Sequence, residues 1–144
     1  MAAGLVQVRR AVAERLDNIP GYQGYAFTPD SVSAPALWVN ADRPVINYVN
    51  NNRSGYDPTG FYSEFRLLVT LVVNRQDIET AQEEIDDHIG PNGPIVAALQ
   101  DVTIDDTLGH LTRNVTVNSA MRYGAYKIGG TDYFGVQLSV CVLA

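Results

Sequence analysis

Hydrophobic residues recur at every second position along residues 61–74, and this alternation is the clearest structural signal in the chain. The odd-numbered positions are apolar apart from Ser63, whereas the even-numbered positions carry Glu64, Arg66, Thr70 and Asn74. Such alternation is typical of a β-strand with one buried face. The apolar set is Phe61, Phe65, Leu67, Val69, Leu71 and Val73. We therefore expect a long strand over 61–74.

Two other stretches have the three- and four-residue apolar spacing of amphipathic helices. The first covers residues 3–18 and ends before Pro20 and Gly21, which cannot continue a helix. The second runs from about Asp77, a suitable N-cap, to Ile89. Pro94 then suits the first turn of a short third helix near 95–99. The apolar stripes are Leu5, Val8, Val12, Leu16 and Ile19 in the first helix, and Ile78, Ala81, Ile85 and Ile89 in the second.

The remaining regular segments read as strands. Residues 36–41 predict a short strand in which Trp38 anchors the core, and two alternating runs after Thr112 surround the Gly129–Gly130 turn. Two such runs around a Gly-Gly pair predict a long antiparallel hairpin. The order of elements predicts an α+β fold over residues 1–144 as a single domain. We expect a mostly antiparallel or mixed sheet of four to five strands, packed by two to three helices.

Residues 42–60 are the weakest segment for regular structure, because they contain Pro44, three consecutive asparagines at 50–52, and Gly55, Pro58 and Gly60. Residues 45–49 could add a strand, which would leave an extended loop or β-arm. Long loops in compact domains usually have a function, and Tyr and Arg are enriched at interfaces. The candidate interface residues are Arg43, Tyr48, Arg53 and Tyr56. The alternative is a mobile loop with ordinary Asn and Gly turn chemistry.

Charge is distributed unevenly along a chain whose net charge is −6. Nine acidic residues and no lysine or arginine lie between Asp77 and Asp106, whereas the first 76 residues hold seven arginines and six acids. A molecule with one acidic and one mildly basic side is suited to head-to-tail contact between copies. The predicted acidic surface consists of Glu79, Glu83, Glu84, Asp86 and Asp87. It could line a lumen, face a neighbouring subunit or simply aid solubility.

Residues that could carry chemistry are few and do not form a recognisable motif. The single cysteine, Cys141, excludes an internal disulfide, and its apolar neighbours indicate a small buried residue. Glu84 and His88 could give two metal ligands at most, and we expect a surface histidine instead. We therefore expect no catalytic residue, no metal and no cofactor, and hence no enzyme. No apolar run is long enough for a membrane helix and no signal peptide is present, so we expect no membrane association.

The segments also resemble, in their order, a known family. An N-terminal helix, VQVRRAVAERLDNIPG, precedes the short strand ALWVNA, and the long strand runs into the acidic helix as FRLLVTLVVNRQDIETAQEEIDDHIG. A short helix, GPIVAALQ, and a closing strand, YFGVQLSVCVLA, complete the pattern. This order resembles the tail terminator, or tail completion, proteins of long-tailed, siphovirus-type bacteriophages. The match covers most of the chain but assigns no individual functional residue.

The resemblance implies a structural virion protein. Its members form a homohexameric ring that caps the tail tube, ends tube polymerisation and joins the tail to the head. The implied partners are copies of the chain, the major tail tube protein and the head–tail connector or stopper protein. Genomic DNA would pass through the lumen without sequence-specific binding. The implied location is the head-proximal end of the virion tail, after assembly in the host cytoplasm.

Two alternatives remain beside the ring subunit. The chain could be another head–tail connector or stopper protein. It could instead be a small soluble enzyme or ligand-binding domain that uses a cleft near His110, Asp105 and Asp106.

Overall fold

Three helices pack on one face of a five-stranded sheet in the computed structural model, which describes residues 4–30, 34–50, 61–74, 77–91, 93–100 and 114–143. The helices are α1 (Leu5–Asp17), α2 (Ile78–Ile89) and α3 (Pro94–Gln100). The strands are β1 (Gln23–Tyr25), β2 (Ala36–Asn50), β3 (Phe61–Asn74), β4 (Asn114–Ile128) and β5 (Thr131–Leu143).

The sheet is mixed and has β3 at its centre. The strand order is β1-β2-β3-β5-β4, so β1 and β4 form opposite edges. Only the β1–β2 pair is parallel; β2–β3, β3–β5 and β4–β5 are antiparallel. The α+β class, the five strands and the two-to-three-helix expectation are therefore confirmed for the described residues.

The main core lies between the sheet and the three helices. Alternate β3 side chains are at most 3% exposed, and every second residue of β5 joins them. Apart from Ile78, whose side chain lies outside the description, the helices contribute the apolar stripes predicted from their spacing, since burial of such a stripe is what holds an amphipathic helix in place. The buried set includes Phe65, Leu67, Val69, Leu71 and Val73 of β3, Val8, Val12 and Leu16 of α1, Ala81 and Ile85 of α2, and Ile95 and Leu99 of α3.

A second, smaller cluster lies on the helix-free face of the sheet. Trp38 and Val72 are 2% and 0% exposed there, and they pack with Ala36 and Tyr133. We expected β3 to bury only one face. At the end of the strands where β2 pairs with β1, its other face is buried as well. Trp38 is a core residue as predicted, but it belongs to this minor cluster. Its indole Nε1 is buried and has no hydrogen-bond partner among the described residues.

Strand β2 is much longer than the segment predicted at residues 36–41. It continues to Asn50, so residues 42–50 are strand and not irregular loop. The register against β3 shifts between Ala41 and Ile46. Pro44 lies inside this shift, where its missing N–H group breaks no regular ladder. The short parallel strand β1 was not predicted, because three residues cannot show a periodic pattern.

Two glycines permit close backbone approaches, one between a helix and the sheet and one between neighbouring strands. A Cβ atom at Gly24 would lie 2.6 Å from the Ala13 carbonyl oxygen, so β1 lies directly against α1. A Cβ atom at Gly135 would lie 2.4 Å from the Leu71 carbonyl oxygen and 2.9 Å from the Tyr126 ring. Real Cβ atoms do not come this close to backbone atoms, so the sheet must shift to accept a side chain at either position.

We predict that Gly135→Ala destabilises the fold by about 1–3 kcal/mol, because the added methyl group overpacks the β3–β5 contact. Urea unfolding followed by circular dichroism measures the change. Gly124→Ala is the matched control, since Gly124 pairs with Gly135 but a Cβ atom there meets nothing within 4 Å. The control should change the free energy of unfolding by no more than about 0.5 kcal/mol. Equal effects of the two substitutions would contradict the prediction.

Candidate interaction surfaces

The β2–β3 hairpin projects beyond the rest of the described sheet. Pairing of β3 with β5 begins at Glu64, whereas pairing of β3 with β2 continues to Phe61 opposite Asn50. The last three pairs, between residues 48–50 and 61–63, therefore form a ribbon of two strands. A two-stranded ribbon is marginally stable in water without further contacts.

The four predicted interface residues fall in different places relative to this ribbon. Tyr48 lies in the ribbon, opposite Ser63, and Arg43 lies in β2 within the register shift. Arg53 and Tyr56 lie outside the described residues, as does the rest of 51–60. The possible extra strand at residues 45–49 is therefore part of β2, whereas the interface role of the arm stays a prediction.

The acidic surface predicted on α2 lies largely in solvent. Asp77 caps the helix by accepting a hydrogen bond from the Thr80 backbone N–H at 3.0 Å, and this bond lowers the pKa of the Asp77 carboxyl. The exposed carboxylates are Glu79, Glu83, Asp86 and Asp87. Glu84 differs from them, because its side chain is 31% exposed and lies 3.7 Å from His88 Nε2.

Tyr123 connects this acidic helix to the β4 edge of the sheet. Its hydroxyl donates to Asp86 Oδ1 at 2.9 Å, and its ring packs edge-on against Phe134 at 5.2 Å between centroids. Burial and the Asp86 carboxylate both raise the pKa of Tyr123. Arg122 and Tyr123 together lie opposite the single residue Val136 in a β-bulge between Met121 and Gly124, and Arg122 has a positive φ of 53°. The bulge explains how Tyr123 reaches the helix.

His88 is half-buried and is not the surface histidine that the sequence suggested. Its ring packs edge-on against Tyr22, with 4.8 Å between centroids, and Nδ1 shares a hydrogen bond with the Tyr22 hydroxyl. Nε2 has no hydrogen-bond partner among the described residues. Burial lowers the pKa of His88 although Glu84 is nearby. The contact joins the turn after α1 to the end of α2, so its role is structural.

The helix-free face becomes polar toward the end that carries the hairpin. Arg66 Nε donates to Glu64 Oε1 at 2.8 Å, which raises the pKa of Arg66. Cys141 pairs with Arg66 in the sheet and is partly exposed beside this pair, so it is not the buried residue that we expected. Burial, assisted by the Glu64 carboxylate, raises the pKa of Cys141 to about 11. The thiol is therefore protonated and weakly nucleophilic at neutral pH.

The described residues contain no group of three His, Cys, Asp or Glu side chains that could hold a metal ion. The candidate cleft residues His110, Asp105 and Asp106 lie outside the described part of the chain. None of the helices in the described ranges is long and apolar enough to cross a membrane. No protein-family model matches the chain, and no curated protein matches it.

We predict that His88 makes the fold less stable in mild acid. Its pKa is lowered in the folded state, so below about pH 6.5 the unfolded chain binds a proton that the folded chain resists. The free energy of unfolding should therefore fall as the pH drops from 7 to 5, and this component should be absent above pH 7. Urea unfolding at several pH values measures it.

The controls for this prediction are the two histidine variants. His88→Gln should remove the component that begins near pH 6.5, whereas His110→Gln should retain it. If His88→Gln keeps the same pH dependence as the unsubstituted chain, burial of His88 is not its source.

Proposed function

We propose that the chain is a structural subunit of a homo-oligomeric ring at the head-proximal end of a phage tail. In this proposal the ring caps the tail tube, ends tube polymerisation and joins the tail to the head connector. The single observation that carries the proposal is the two-stranded ribbon at residues 48–50 and 61–63, which extends beyond the third strand of the sheet.

The ribbon supports an assembly role for a physical reason. Among the described residues, the outer sides of its two strands lack the strand partners that the rest of β3 has, and such ribbons gain stability by packing against something else. The ribbon also leads directly into residues 51–60, which contain Arg53 and Tyr56. Arg and Tyr dominate the energetics of many interfaces. An adjacent subunit or the tube protein is the partner that fits this arrangement.

The acidic surface on α2 is compatible with a lumen through which DNA passes. Carboxylates repel phosphates, so a wall of them would not retain a genome, and binding by sequence would require base contacts from basic or amide side chains. The exposed positions of Glu79, Glu83, Asp86 and Asp87 also suit a contact with a basic neighbour. Either arrangement requires assembly.

The direct test is to examine the purified protein alone and together with tail tubes built from the tube protein of the same phage. We expect closed rings by negative-stain microscopy, an oligomeric mass by light scattering, and tubes that bear one ring at the end facing the head. A protein that remains monomeric even with tubes, and is absent from virions, would rule out the proposal. A ring on the head side of a separate terminator would identify a connector or stopper instead.

We predict that deletion of Asn50–Gly55 leaves a folded monomer and weakens the ring about fivefold or more. Loss of a central interface element typically costs more than about 1 kcal/mol, which is roughly fivefold in affinity or greater. Sedimentation over a concentration series measures the association, and circular dichroism checks the fold. The matched control replaces the three asparagines at 50–52 by serine, which keeps the length and should keep the ring. Normal rings after the deletion would remove the arm from the interface.

A further inference from the structure

Four large apolar side chains are exposed among the described residues, and they divide between the two edges of the sheet. Val6 is 51% and Phe27 is 49% exposed at the β1 edge, where α1 packs. Met121 is 38% and Tyr123 is 42% exposed on β4, at the opposite edge. Single exposed apolar residues are common on protein surfaces. Two matched pairs on opposite edges suggest that each edge has a partner.

Charge separates the same two edges. The arginines Arg9 and Arg10 lie in the N-terminal half of α1, where residues 4–13 contain no acid and the helix dipole is positive. The Arg9 guanidinium lies 4.9 Å from the centroid of the Phe27 ring, so charge and apolar surface form one patch. We name this patch the basic edge, and it consists of Val6, Arg9, Arg10 and Phe27.

The opposite patch combines apolar side chains with carboxylates. Met121 and Tyr123 lie on β4, and the Tyr123 hydroxyl donates to Asp86 on the exposed side of α2. Glu79 and Glu83 are four residues apart and Glu83 and Asp86 are three apart, so the three carboxylates share a helix face. We name this edge the acidic edge: Glu79, Glu83, Asp86 and Tyr123 lie on its helix-covered side, and Met121, which pairs with Gln137, lies on its helix-free side.

The two patches lie at nearly the same level along the strands. Thr28, next to Phe27, donates a hydrogen bond to Asn40 of β2 at 2.7 Å. Asn40 is two residues from Trp38, and the cross-strand row through Trp38, Thr70 and Gln137 ends at Met121 on β4. When the two contacting edges lie at the same level along the strands, each further subunit is added with little displacement in that direction. Such contacts favour a closed ring over a helical filament.

We propose that the basic edge of one subunit docks on the acidic edge of the next copy of this chain. The proposal rests on the ring-forming function above and names the lateral interface of that ring. The contact is heterologous, because a two-fold contact of either edge with itself would set like charges against each other. The bulge at Arg122 interrupts regular pairing along β4, so side chains and not an added strand make the contact.

Charge reversal on both edges tests this pairing. The first variant carries Arg9→Glu and Arg10→Glu, and the second carries Glu79→Arg and Glu83→Arg. Each variant alone should associate at least roughly tenfold more weakly than the unsubstituted chain at 50 mM salt, because its two edges now have the same sign. An equimolar mixture should recover oligomers in which the variants alternate. Recovery in the mixture requires that these two edges meet.

Net charge alone cannot explain weaker association of both variants, because the first variant lowers the net charge by four and the second raises it by four. Circular dichroism spectra must match among all variants, which checks that the substitutions leave the fold intact.

Cross-linking provides a second readout that does not depend on charge. In a Cys141→Ser background, Phe27→Cys together with Met121→Cys should give covalent oligomers with a short bismaleimide, whereas either cysteine alone should give none. Cross-linking of a single-cysteine variant would indicate a two-fold contact and overturn the proposal.

The outcomes separate this interface from the proposed function. If rings cap tail tubes but the mixture of variants recovers nothing, the edge pairing is wrong and the ring function stands. If the mixture recovers oligomers that neither close nor bind tubes, the edge pairing stands and the ring function is wrong. A chain that is monomeric in every test overturns both.

Discussion

Burial of one face of β3 is the interaction on which the rest of the structure depends. Five alternate side chains of this central strand are almost fully buried beneath the helices, and each contributes about 1.5–3 kcal/mol relative to exposure. Because all three helices pack on that face, they leave the other face of the sheet without helical cover. The surfaces available for contact are therefore a consequence of a one-sided core.

The helix-free face of the sheet has only a small apolar cluster and a few polar contacts to cover it. Trp38, Val72 and Tyr133 form a small apolar cluster at one end, and the amides of Asn40 and Gln137 both donate to the Thr70 hydroxyl in the middle. Toward the hairpin end the face carries Glu64 and Arg66 instead. Polar residues at this end of the helix-free face can stay hydrated, so the face needs no second core there. The ribbon therefore extends from a sheet that is already stabilised by its main core.

Helices and strands with an uninterrupted periodic pattern were predictable from the sequence. Interrupted strands and contacts between residues far apart in the chain were not. Strand β3 and the β4–β5 hairpin follow from alternation, and the Asp77 cap follows from local helix chemistry. The alternation of β2 breaks at the register shift around Pro44, so residues 45–49 could be predicted only as a possible separate strand and not as the continuation of residues 36–41. The Tyr22–His88 contact joins residues 66 positions apart, and no local pattern reports it. The uneven distribution of charged residues along the chain could be counted from the sequence. Their division between opposite edges of the sheet could not, because it depends on the order of the strands.

The ribbon and the two charged edges of the sheet also lie in different directions relative to the strands. The ribbon at residues 48–50 and 61–63 extends along the strands, whereas the basic and acidic edges lie at the sides of the sheet, across the strands. A subunit that uses its sides for lateral contacts keeps its ends for contacts along the perpendicular axis. In the proposed ring, closure and attachment to the tube therefore do not compete for the same residues. Lateral closure can be complete while one end still carries a free hairpin, which is the geometry that a cap between two different partners requires.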